Sequence, residues 1–435
     1  MKKTISVILC LFVICLFCFA EQNEKWSLHY WLDDFGDETT ESYVEYLDGN
    51  TKLIFETGNH NGEPVVLLSV IDSISNKPKE VSYGILKVKD ETGSIWEYSG
   101  SRRDSMNRFD NGILTLYCLL LTNNSLKCIA GTGNNTESFT INCDGVPPII
   151  RDYVIDQFEQ DNCYFGQNYS VKSFIIPDGV KTIAPSLFIY WGSLESITIP
   201  ESVTSIGAYA FSGCSSLSKI VFSSNSSIER IEKGSFESCS SITSFEIPDS
   251  VTSIGSEAFR DCSGLVDLII PNSVRRIELS AFRGCRSLKN VFVADLSSWL
   301  NISFEYSSNH SEANPMNYAT NLYVDGIILS GQVEIPSGIT NIPLLAFAKC
   351  KKITSLIIPS TVKTIDRFAF ADCTLLSVIS IPKSVDTFRY EPFYNCDALK
   401  TIIYNGTMND WGKIQMRESI SIPYDCIIQC TDGKL

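Results

Sequence analysis

Seven cysteines recur at near-constant spacing in the second half of the sequence, a pattern that can serve metal binding, disulfide formation or architecture. Each follows a phenylalanine by three residues, as in "AFSGC" and "AFRDC", and the steps between them are 25, 23, 23, 65, 23 and 23 residues. The two rows consist of Phe211, Cys214, Phe236, Cys239, Phe259, Cys262, Phe282, Cys285, Phe347, Cys350, Phe370, Cys373, Phe393 and Cys396.

These cysteines have three interpretations. A zinc site needs four ligands that converge on one point, whereas one cysteine per repeat gives a row, without a CxxC pair or a nearby histidine pair. Neighbouring strands lie about 4.8 Å apart, which is within the Cα range of a disulfide, so bridges between neighbouring repeats remain an alternative. The odd number and parallel orientation favour free thiols that pack as small hydrophobic groups and hydrogen-bond weakly to the backbone. We predict no metal and no cofactor.

A repeat of about 23 residues surrounds each cysteine. "LESITIPESVTSIGAYAFSGC" and "ITSFEIPDSVTSIGSEAFRDC" share an alternating apolar stretch that ends in Ile-Pro, followed by Val, Ile, Ala-Phe and Cys. A period of 20–29 residues is typical of leucine-rich repeats. In the first copy the alternation points Leu194, Ile197 and Ile199 inward, and Ser196 and Thr198 outward. The pattern predicts a leucine-rich-repeat solenoid, in which each repeat supplies a β-strand and an irregular or short helical return, with the phenylalanines and cysteines as internal ladders.

The repeats resemble those of the BspA-like leucine-rich-repeat surface proteins over about residues 171–410. The stack is interrupted after "LKNVFVADLSSWLNI" and resumes at "NLYVDGIILSGQVEIPSGI", and "LKTIIYNGTMNDWGKI" echoes the interrupting element, with Trp299 matching Trp411. The resemblance implies a secreted or surface-displayed protein that mediates adhesion to host matrix proteins or to other microbial cells.

The composition along the chain indicates seven segments. Short β-rich runs that alternate with turn-forming stretches predict a small sandwich-like all-β domain before the repeats, and "PPIIRDYVIDQFEQ" predicts one amphipathic helix. The segments are a signal peptide at 1–20, the all-β domain at 21–146, a capping helix and linker at 147–170, repeats at 171–290, an insertion at 291–330, repeats at 331–410 and a C-terminal cap at 411–435.

The outward-facing strand positions define a candidate partner-binding face. Read as one sheet, this row contains Ile175, Thr198, Val221, Glu246, Ile269, Phe292, Glu334, Ile357, Ser380 and Ile403. Contiguous exposed apolar residues mark interaction sites, although β-branched residues also simply suit strands, and the insertion could cover them. The candidates for partner contact are Ile269, Phe292, Ile357, Val221 and Ile403, with the first two favoured because they lie beside the aromatic-rich insertion.

The first twenty residues resemble a secretory signal. Lys2 and Lys3 precede an apolar run that ends at Phe19, and Ala20 is the expected cleavage position. A lipid anchor at Cys15 or Cys18 is the alternative. The run is short for a membrane span, and no later run is long enough. We therefore predict a secreted or cell-surface protein without a membrane span.

Charge and motif content argue against two classes of function. The chain carries 35 Lys and Arg against 50 Asp and Glu, and its sequence shows no basic cluster that would offset repulsion of phosphate backbones, so we predict no nucleic-acid partner. The three histidines, His29, His60 and His310, lie outside the repeats, and no catalytic motif is present. We predict no enzymatic activity. The acidic run "LDDFGDE" fits a solvated turn better than a calcium site.

The cysteines outside the repeat period are interpreted separately. Four lie in or beside the N-terminal domain, where a secreted protein would retain disulfides. Two bridges are expected there, with the connectivity open. A pair between the two C-terminal cysteines is an open possibility. The six residues are Cys118, Cys128, Cys143, Cys163, Cys426 and Cys430.

Three functions remain open at this stage. The first is a protein-binding or adhesion protein whose repeats present an extended face to a partner. The second is a structural component of the cell envelope whose repeats mediate self-assembly. The third is carbohydrate binding by the N-terminal domain, with Trp26 and Trp31 as stacking residues.

Overall fold

A computed structural model describes residues 171–305, 313–416 and 419–435 in full, together with strands between residues 26 and 142 and residues 121, 123, 154, 155 and 158. Contacts separate the chain into two compact units, Met1–Gln160 with Ser170–Pro177, and Asp161–Tyr169 with Asp178–Leu435. The predicted signal peptide, the lipid-anchor alternative and His310 lie outside the described residues, as do Cys118, Cys143, Cys163 and the side chain of Cys128.

The first unit consists of β-strands in its described part up to residue 142. The strands β1–β14 are Trp26–Leu32, Glu38–Asp48, Thr51–Glu56, Asn59–His60, Glu63–Pro64, Leu67–Leu68, Ile71–Asp72, Lys77–Pro78, Ile85–Lys89, Ile95–Ser99, Ser101–Arg103, Met106–Arg108, Ser125–Thr132 and Asn135–Asn142. They form sheets of order β1-β2-β3-β7-β8, β10-β9-β13-β14, β11-β12-β6 and β4-β5. Within the predicted helix at 147–160, residues 154, 155 and 158 are helical, and Val154 and Phe158 are buried. Trp26 and Trp31 lie within β1, and the carbohydrate-binding hypothesis attached to them stays a prediction.

The second unit is a β-solenoid of about eleven turns with little helix, so the predicted leucine-rich-repeat fold class is confirmed. The strand β15, Ser173–Ile175, falls within the first unit. The strands β16–β38 of the second unit are Thr182–Ile183, Ser196–Ile199, Ser205–Ile206, Lys219–Phe222, Arg230–Ile231, Ser244–Glu246, Ser253–Ile254, Asp267–Ile270, Arg276–Ile277, Asn290–Val293, Ser303–Phe304, Asn321–Val324, Ile327–Ile328, Gly331–Glu334, Asn341–Ile342, Ile353–Ile357, Thr364–Ile365, Val378–Pro382, Thr387–Phe388, Thr401–Asn405, Gln415–Met416, Ile427–Cys430 and Gly433–Lys434.

Each regular turn contributes two strands to two parallel ladders. The longer strand carries the Ile-Pro sequence, and a two-residue strand on the return path pairs with its equivalents in the order β16-β18-β20-β22-β24-β26 and again β30-β32-β34-β36. Leu194, Ile197 and Ile199 are buried, whereas Ser196 and Thr198 are half-buried on the outer side. The return path is therefore partly a second sheet and not wholly irregular or helical. In "VTSI" at 203–206 the Val and Ile side chains are buried in the core and the two polar residues between them face outward.

The corner that contains "AFxxC" turns by left-handed backbone at two positions. In one repeat these are Glu257, with φ 59°, and Asp261, with φ 56°. Both residues donate their backbone N–H to the next turn, to the carbonyl oxygens of Leu279 at 3.0 Å and Arg283 at 2.6 Å, and Phe259 donates to Ala281 at 2.8 Å. Alternate N–H groups therefore point along the solenoid axis, and the phenylalanines are held in register.

The interval predicted as an insertion, 291–330, supplies strands to both ladders. Asp295 caps the helix Leu296–Leu300, because its side chain accepts a hydrogen bond from the backbone N–H of Ser298. Ser303–Phe304 continues the return-path sheet, and Asn321–Val324 pairs with Asn290–Val293 after a 3₁₀-helix at Pro315–Asn317. The interval is one long, irregular turn of the solenoid followed by a hairpin.

The element that echoes it near the C-terminus is a second short helix, Met408–Trp411. Thr407 and Asp410 form a reciprocal capping box, and Lys383 lies 3.0 Å from the Asp410 carboxylate. The Thr407 and Lys383 hydrogen bonds lower the pKa of Asp410 to about 2. Trp411 packs against Tyr404 with ring centroids 5.1 Å apart. This helix lies between the last regular strands and the closing hairpin of β37 and β38.

Candidate functional site

The outward-facing row of strand residues is divided among separate sheets, so the expectation of one continuous sheet is wrong. Thr198 lies opposite Val221 in the first sheet. The second sheet aligns Glu246, Ile269, Phe292 and Tyr323, and the third aligns Glu334, Ile357, Ser380, Ile403 and Gln429.

Two irregularities in the repeat cause these breaks. The turn that follows Val221 belongs to the 25-residue step, and its extra residues lie in "SSNSS" directly after β19. β19 and β21 do not pair in consequence. The second break comes at the hairpin of β27 and β28. The strand β28 runs antiparallel to β27 and ends the second sheet, which is called the middle sheet from here on.

The five candidate residues differ in their exposure. Val221, Ile357 and Ile403 are exposed, with 38%, 38% and 40% of their surface accessible. Ile269 and Phe292, which sequence reasoning favoured, are half-buried. The most accessible apolar positions of the row are therefore the aliphatic residues of the first and third sheets.

Phe292 is covered by a residue that sequence reasoning missed. Its ring stacks on Tyr323 with centroids 4.6 Å apart and planes inclined by 20°. Tyr323 occupies the outward position of "NLYVDG", a strand that lacks the Ile-Pro ending and therefore escapes the repeat pattern. The stack extends the apolar row of the middle sheet by one strand.

A polar column runs beside this aromatic pair. Asn321 donates its side-chain amide to Asn290 Oδ1 at 2.8 Å, and Asn290 donates in the same way to Asp267 Oδ1 at 2.7 Å. Each residue lies two positions before the apolar residue of its strand, on the same face. The middle sheet therefore presents an apolar column and a hydrogen-bonded polar column side by side.

The third sheet gains two apolar residues in the equivalent column. Val378 lies opposite Thr401, and Thr401 lies opposite Ile427. Ile427 is 44% exposed and Val378 is half-buried. Together with Ile357 and Ile403, these residues form what is called here the aliphatic patch. The alternation in "LSVISIP" was a signal for Val378, whereas Ile427 lies in the C-terminal cap, outside the repeat pattern.

The phenylalanine row lies inside the solenoid. Stacked ring pairs have centroid distances of 5.2–5.6 Å and interplanar angles of 3–12°. The pairs are Phe188–Phe211, Phe211–Phe236, Phe236–Phe259, Phe259–Phe282, Phe347–Phe370 and Phe370–Phe393. Between Phe282 and Phe347 the irregular turn intervenes, and the buried indole of Trp299 occupies it.

The seven repeat cysteines are free and buried. Six donate their thiol to the phenylalanine carbonyl of the preceding turn at 3.0–3.1 Å, as Cys262 does to Phe236. Burial raises the pKa of Cys214, Cys285, Cys350 and Cys396 to about 12, and raises those of Cys239, Cys262 and Cys373 well above the usual value. Cys426 and Cys430 are also free, so the open possibility of their pairing is not realised.

The buried thiols predict alkaline unfolding. A thiol whose pKa is raised in the folded state favours folding fully below its unfolded pKa of about 9, and this contribution is lost as the pH rises toward 12. One pKa unit corresponds to roughly 1.4 kcal/mol per group, so several thiols together rival a typical stability of about 5–15 kcal/mol. Circular dichroism between pH 8 and 12 is expected to show cooperative loss of structure. Cys262→Ala should make the dependence of unfolding free energy on pH shallower, and an unchanged slope would contradict this assignment.

The described residues contain neither a candidate metal site nor a candidate membrane-spanning helix. Within the described ranges, no group of three or more His, Cys, Asp or Glu residues is placed to hold a metal ion. In those ranges there is also no helix with the length and hydropathy needed to span a bilayer.

Comparison with known proteins identifies the repeats. The sequence profile described as BspA type leucine rich repeat region matches in six copies, over residues 160–289, 229–322 and 328–422. The chain belongs to the BspA-type leucine-rich-repeat family. Repeats of this bacterial surface type are protein-binding scaffolds, and the fold is typically non-enzymatic. No curated protein matches the chain.

Solved structures similar to this BspA-type chain are bacterial leucine-rich-repeat proteins. The Treponema pallidum protein TpLRR is 23% identical, with a TM-score of 0.29, and the match covers 47% of this chain and 78% of TpLRR. A protein from Eubacterium ventriosum is 19% identical, with a TM-score of 0.34 and coverage of 64% and 70%. The pneumococcal vaccine antigen PcpA is 19% identical, with a TM-score of 0.38 and coverage of 72% and 87%.

Proposed function

We propose that this BspA-type protein is secreted or displayed on a cell surface, where it binds protein partners through the outer face of its strand sheets. The aliphatic patch of the third sheet carries the proposal. Its four members lie on neighbouring parallel strands, and Ile357, Ile403 and Ile427 are exposed. Exposed apolar residues gathered on one surface are typical of interaction sites.

The middle sheet supports the same proposal with different chemistry. The stacked pair of Phe292 and Tyr323 offers aromatic surface, and aromatic residues are enriched in the buried centres of protein interfaces. Beside it, the amide chain from Asn321 to Asp267 offers hydrogen-bonding groups whose orientation is already fixed. A partner that lies across this sheet would contact ordered side chains, which reduces the entropy lost on binding.

Adhesion to a host matrix protein or to another cell is the specific form of this proposal. Capture of serum and matrix proteins by the immobilised, purified protein is the direct test. Binding of a defined protein by the wild type, and its loss in the surface variants below, is the expected result. If no protein is captured, and if the molecular mass rises with concentration, self-assembly replaces adhesion as the function.

Charge insertion into the aliphatic patch is expected to abolish partner capture without unfolding the protein. In Ile357→Asp/Ile403→Asp, two carboxylates replace exposed apolar side chains, so the affinity should fall by about a thousandfold, since interface anchors contribute about 2 kcal/mol or more each. The melting temperature should change little, because both residues are exposed in the free protein. Surface plasmon resonance against the captured protein measures the loss.

A companion variant and a control locate the contact. Ile269→Asp/Phe292→Asp tests the middle sheet in the same way, although loss of the Phe292–Tyr323 stack should also cost about 1 kcal/mol of stability. The control, Thr182→Asp/Ser205→Asp, adds the same charge on the half-buried outer side of the return-path sheet. Capture that survives both strand-face variants, or that is lost equally in the control, contradicts the proposed face.

A further inference from the structure

Six cations gather on one corner of the solenoid although the sequence holds them in two segments, 283–289 and 349–352. Arg283, Arg286 and Lys289 surround the cysteine of one regular turn, and Lys349, Lys351 and Lys352 surround that of the next regular turn. The six residues are called here the basic corner. The expectation that this acidic chain has no basic cluster is therefore wrong, because the cluster forms only in three dimensions.

The irregular turn joins the two groups of cations. Gly284, next to Arg283, donates its backbone N–H to the Tyr318 hydroxyl at 3.0 Å, and the Lys349 ammonium group donates to the carbonyl oxygen of Asn317. Asn317 and Tyr318 are consecutive, so a single turn separates the two groups. With neighbouring turns about 4.8 Å apart, the two sets of cations lie roughly 10 Å from each other along the axis.

Acidic residues pair with other cations of the solenoid but not with five of the six in the basic corner; the sixth, Lys349, interacts with Asp372. Arg230 pairs with Glu232, and Arg276 with Glu278 and Glu305. In the part of the chain that the structure describes, no ion pair includes Arg283, Arg286, Lys289, Lys351 or Lys352. The stretch around Asn317 and Tyr318, "ANPMNYAT" at 313–320, contains no acid.

One acid lies on each flank of the corner. Asp261, on the turn before Arg283, lies 3.4 Å from Arg260. Asp372, on the turn after Lys349, accepts a hydrogen bond from Asn395 at 3.0 Å. Asp261 thus pairs with a cation outside the corner, whereas Asp372 interacts electrostatically with Lys349. The exposed cations Arg286, Lys289, Lys351 and Lys352 have no ion-pair partner among the described residues and are available to an external anion.

We propose that the basic corner binds a linear anionic polysaccharide, whose sulfate or carboxylate groups it recognises by charge. Arg286, Lys289, Lys351 and Lys352 are exposed and carry long, flexible side chains, which suits a flexible polyanion better than a ligand of fixed shape. The segments 283–289 and 349–352 contain no exposed large hydrophobic residue of the kind that a protein interface places at its centre; Leu375 belongs to the following turn. A duplex nucleic acid is stiff and wide, so beyond the corner it would lie against the rest of a chain whose net charge is −15, whereas a flexible polysaccharide can leave the surface there.

The repeats themselves provide substitutions that remove these cations without disturbing the fold. Sibling turns carry Ser263 at the position of Arg286, Thr243 at that of Lys289, Thr374 at that of Lys351 and Ser241 at that of Lys352. The corner variant is therefore Arg286→Ser/Lys289→Thr/Lys351→Thr/Lys352→Ser. A charge-matched control replaces four exposed cations outside the corner, Lys219, Lys363, Lys413 and Lys434, with Ser.

Binding of the purified protein to heparin and to hyaluronate, in about 0.1 M salt, tests the proposal. The wild type is expected to bind at least one of the two, sulfated in the first case and carboxylated in the second. Affinity should fall roughly a hundredfold in the corner variant and little in the control, because cations at a charged surface act locally. Binding should also weaken as the salt concentration rises.

Three outcomes would overturn the proposal. The wild type could bind neither polysaccharide, the control could lose as much affinity as the corner variant, or poly-glutamate could compete as well as heparin at equal charge, which would assign the corner to acidic proteins. Failure here leaves the proposed protein-binding face untouched, because the corner variant changes no strand residue, and the aspartate variants of the sheets change no residue of the corner.

Discussion

Replacing Phe259 with alanine is expected to destabilise the solenoid by about 3–5 kcal/mol, the usual range for truncation of a buried phenylalanine. Its ring is fully buried and lies between two parallel rings, Phe236 at 5.6 Å and Phe282 at 5.5 Å. Phe245 adds an edge contact at 4.7 Å. The cavity would lie in the middle of the first block of turns, where both neighbours lose a contact.

Urea unfolding followed by circular dichroism measures this effect, with Phe292→Ala as the control. Phe292 is half-buried and stacks on a single ring, so its truncation should cost no more than about 1.5 kcal/mol. The stability of a repeat protein is roughly a sum over its repeats and their interfaces, so the loss at Phe259 should appear first in the amide exchange of the turns beside it. Equal destabilisation by the two substitutions would contradict an internal phenylalanine row.

The repeat pattern determines the solenoid because each turn must bury the same apolar positions against its neighbours. Val203, Ile206 and Phe211 recur at fixed offsets in the repeat. The residue at the same offset in each regular turn is therefore buried in the same kind of environment. The left-handed corners were not predictable in the same way. Residues as different as Glu257, Leu345 and Phe368 adopt positive φ there, since the hydrogen bonds to the next turn select the backbone conformation and not the side chain.

Surface features were predicted less well, because they depend on how the irregular segments join the regular ones. The members of the outward-facing row could be predicted individually from the repeat pattern. The division of the row into three sheets could not, because it follows from two extra residues after β19 and from the hairpin after β27. Tyr323 and Ile427 sit in strands outside the pattern, so the periodicity gave no reason to include them. The basic corner was missed because its two groups of cations lie far apart in the sequence and come close only where the irregular turn joins their turns of the solenoid.

Side chains of the irregular turn also join the regular turns that follow it to the rest of the solenoid. In regular turns the carbonyl oxygens of the Ala-Phe corner accept backbone N–H groups, as Ala369 does from Phe347 at 2.8 Å. The corner of Ala346 has no regular turn before it. There the Trp299 indole N–H donates to the Ala346 carbonyl at 2.9 Å, and the Asn314 side-chain amide donates to Leu344 at 2.7 Å. Two side chains thus replace two backbone donors.

Replacing Trp299 with alanine is therefore expected to cost about 3–5 kcal/mol for the cavity and about 1–3 kcal/mol more for the unsatisfied Ala346 carbonyl. Trp299→Phe separates the two contributions, because it keeps most of the buried ring and removes only the N–H, so it should cost about 1–3 kcal/mol. Urea unfolding gives both values, and amide exchange at Ala346 and its neighbours should increase in each variant.

Trp411→Phe is the matched control, since it occupies the echoing element near the C-terminus. Its ring packs on Tyr404 and Phe388, but among the described residues its indole N–H has no hydrogen-bond acceptor, so loss of the N–H should cost little there. If Trp299→Phe is as stable as the wild type, the indole of Trp299 only fills space, and its hydrogen bond to Ala346 does not stabilise the junction between the irregular turn and the regular turns that follow. A larger loss in Trp299→Phe than in Trp411→Phe is expected, because only Trp299 takes the place of a backbone donor that the regular repeat would have supplied.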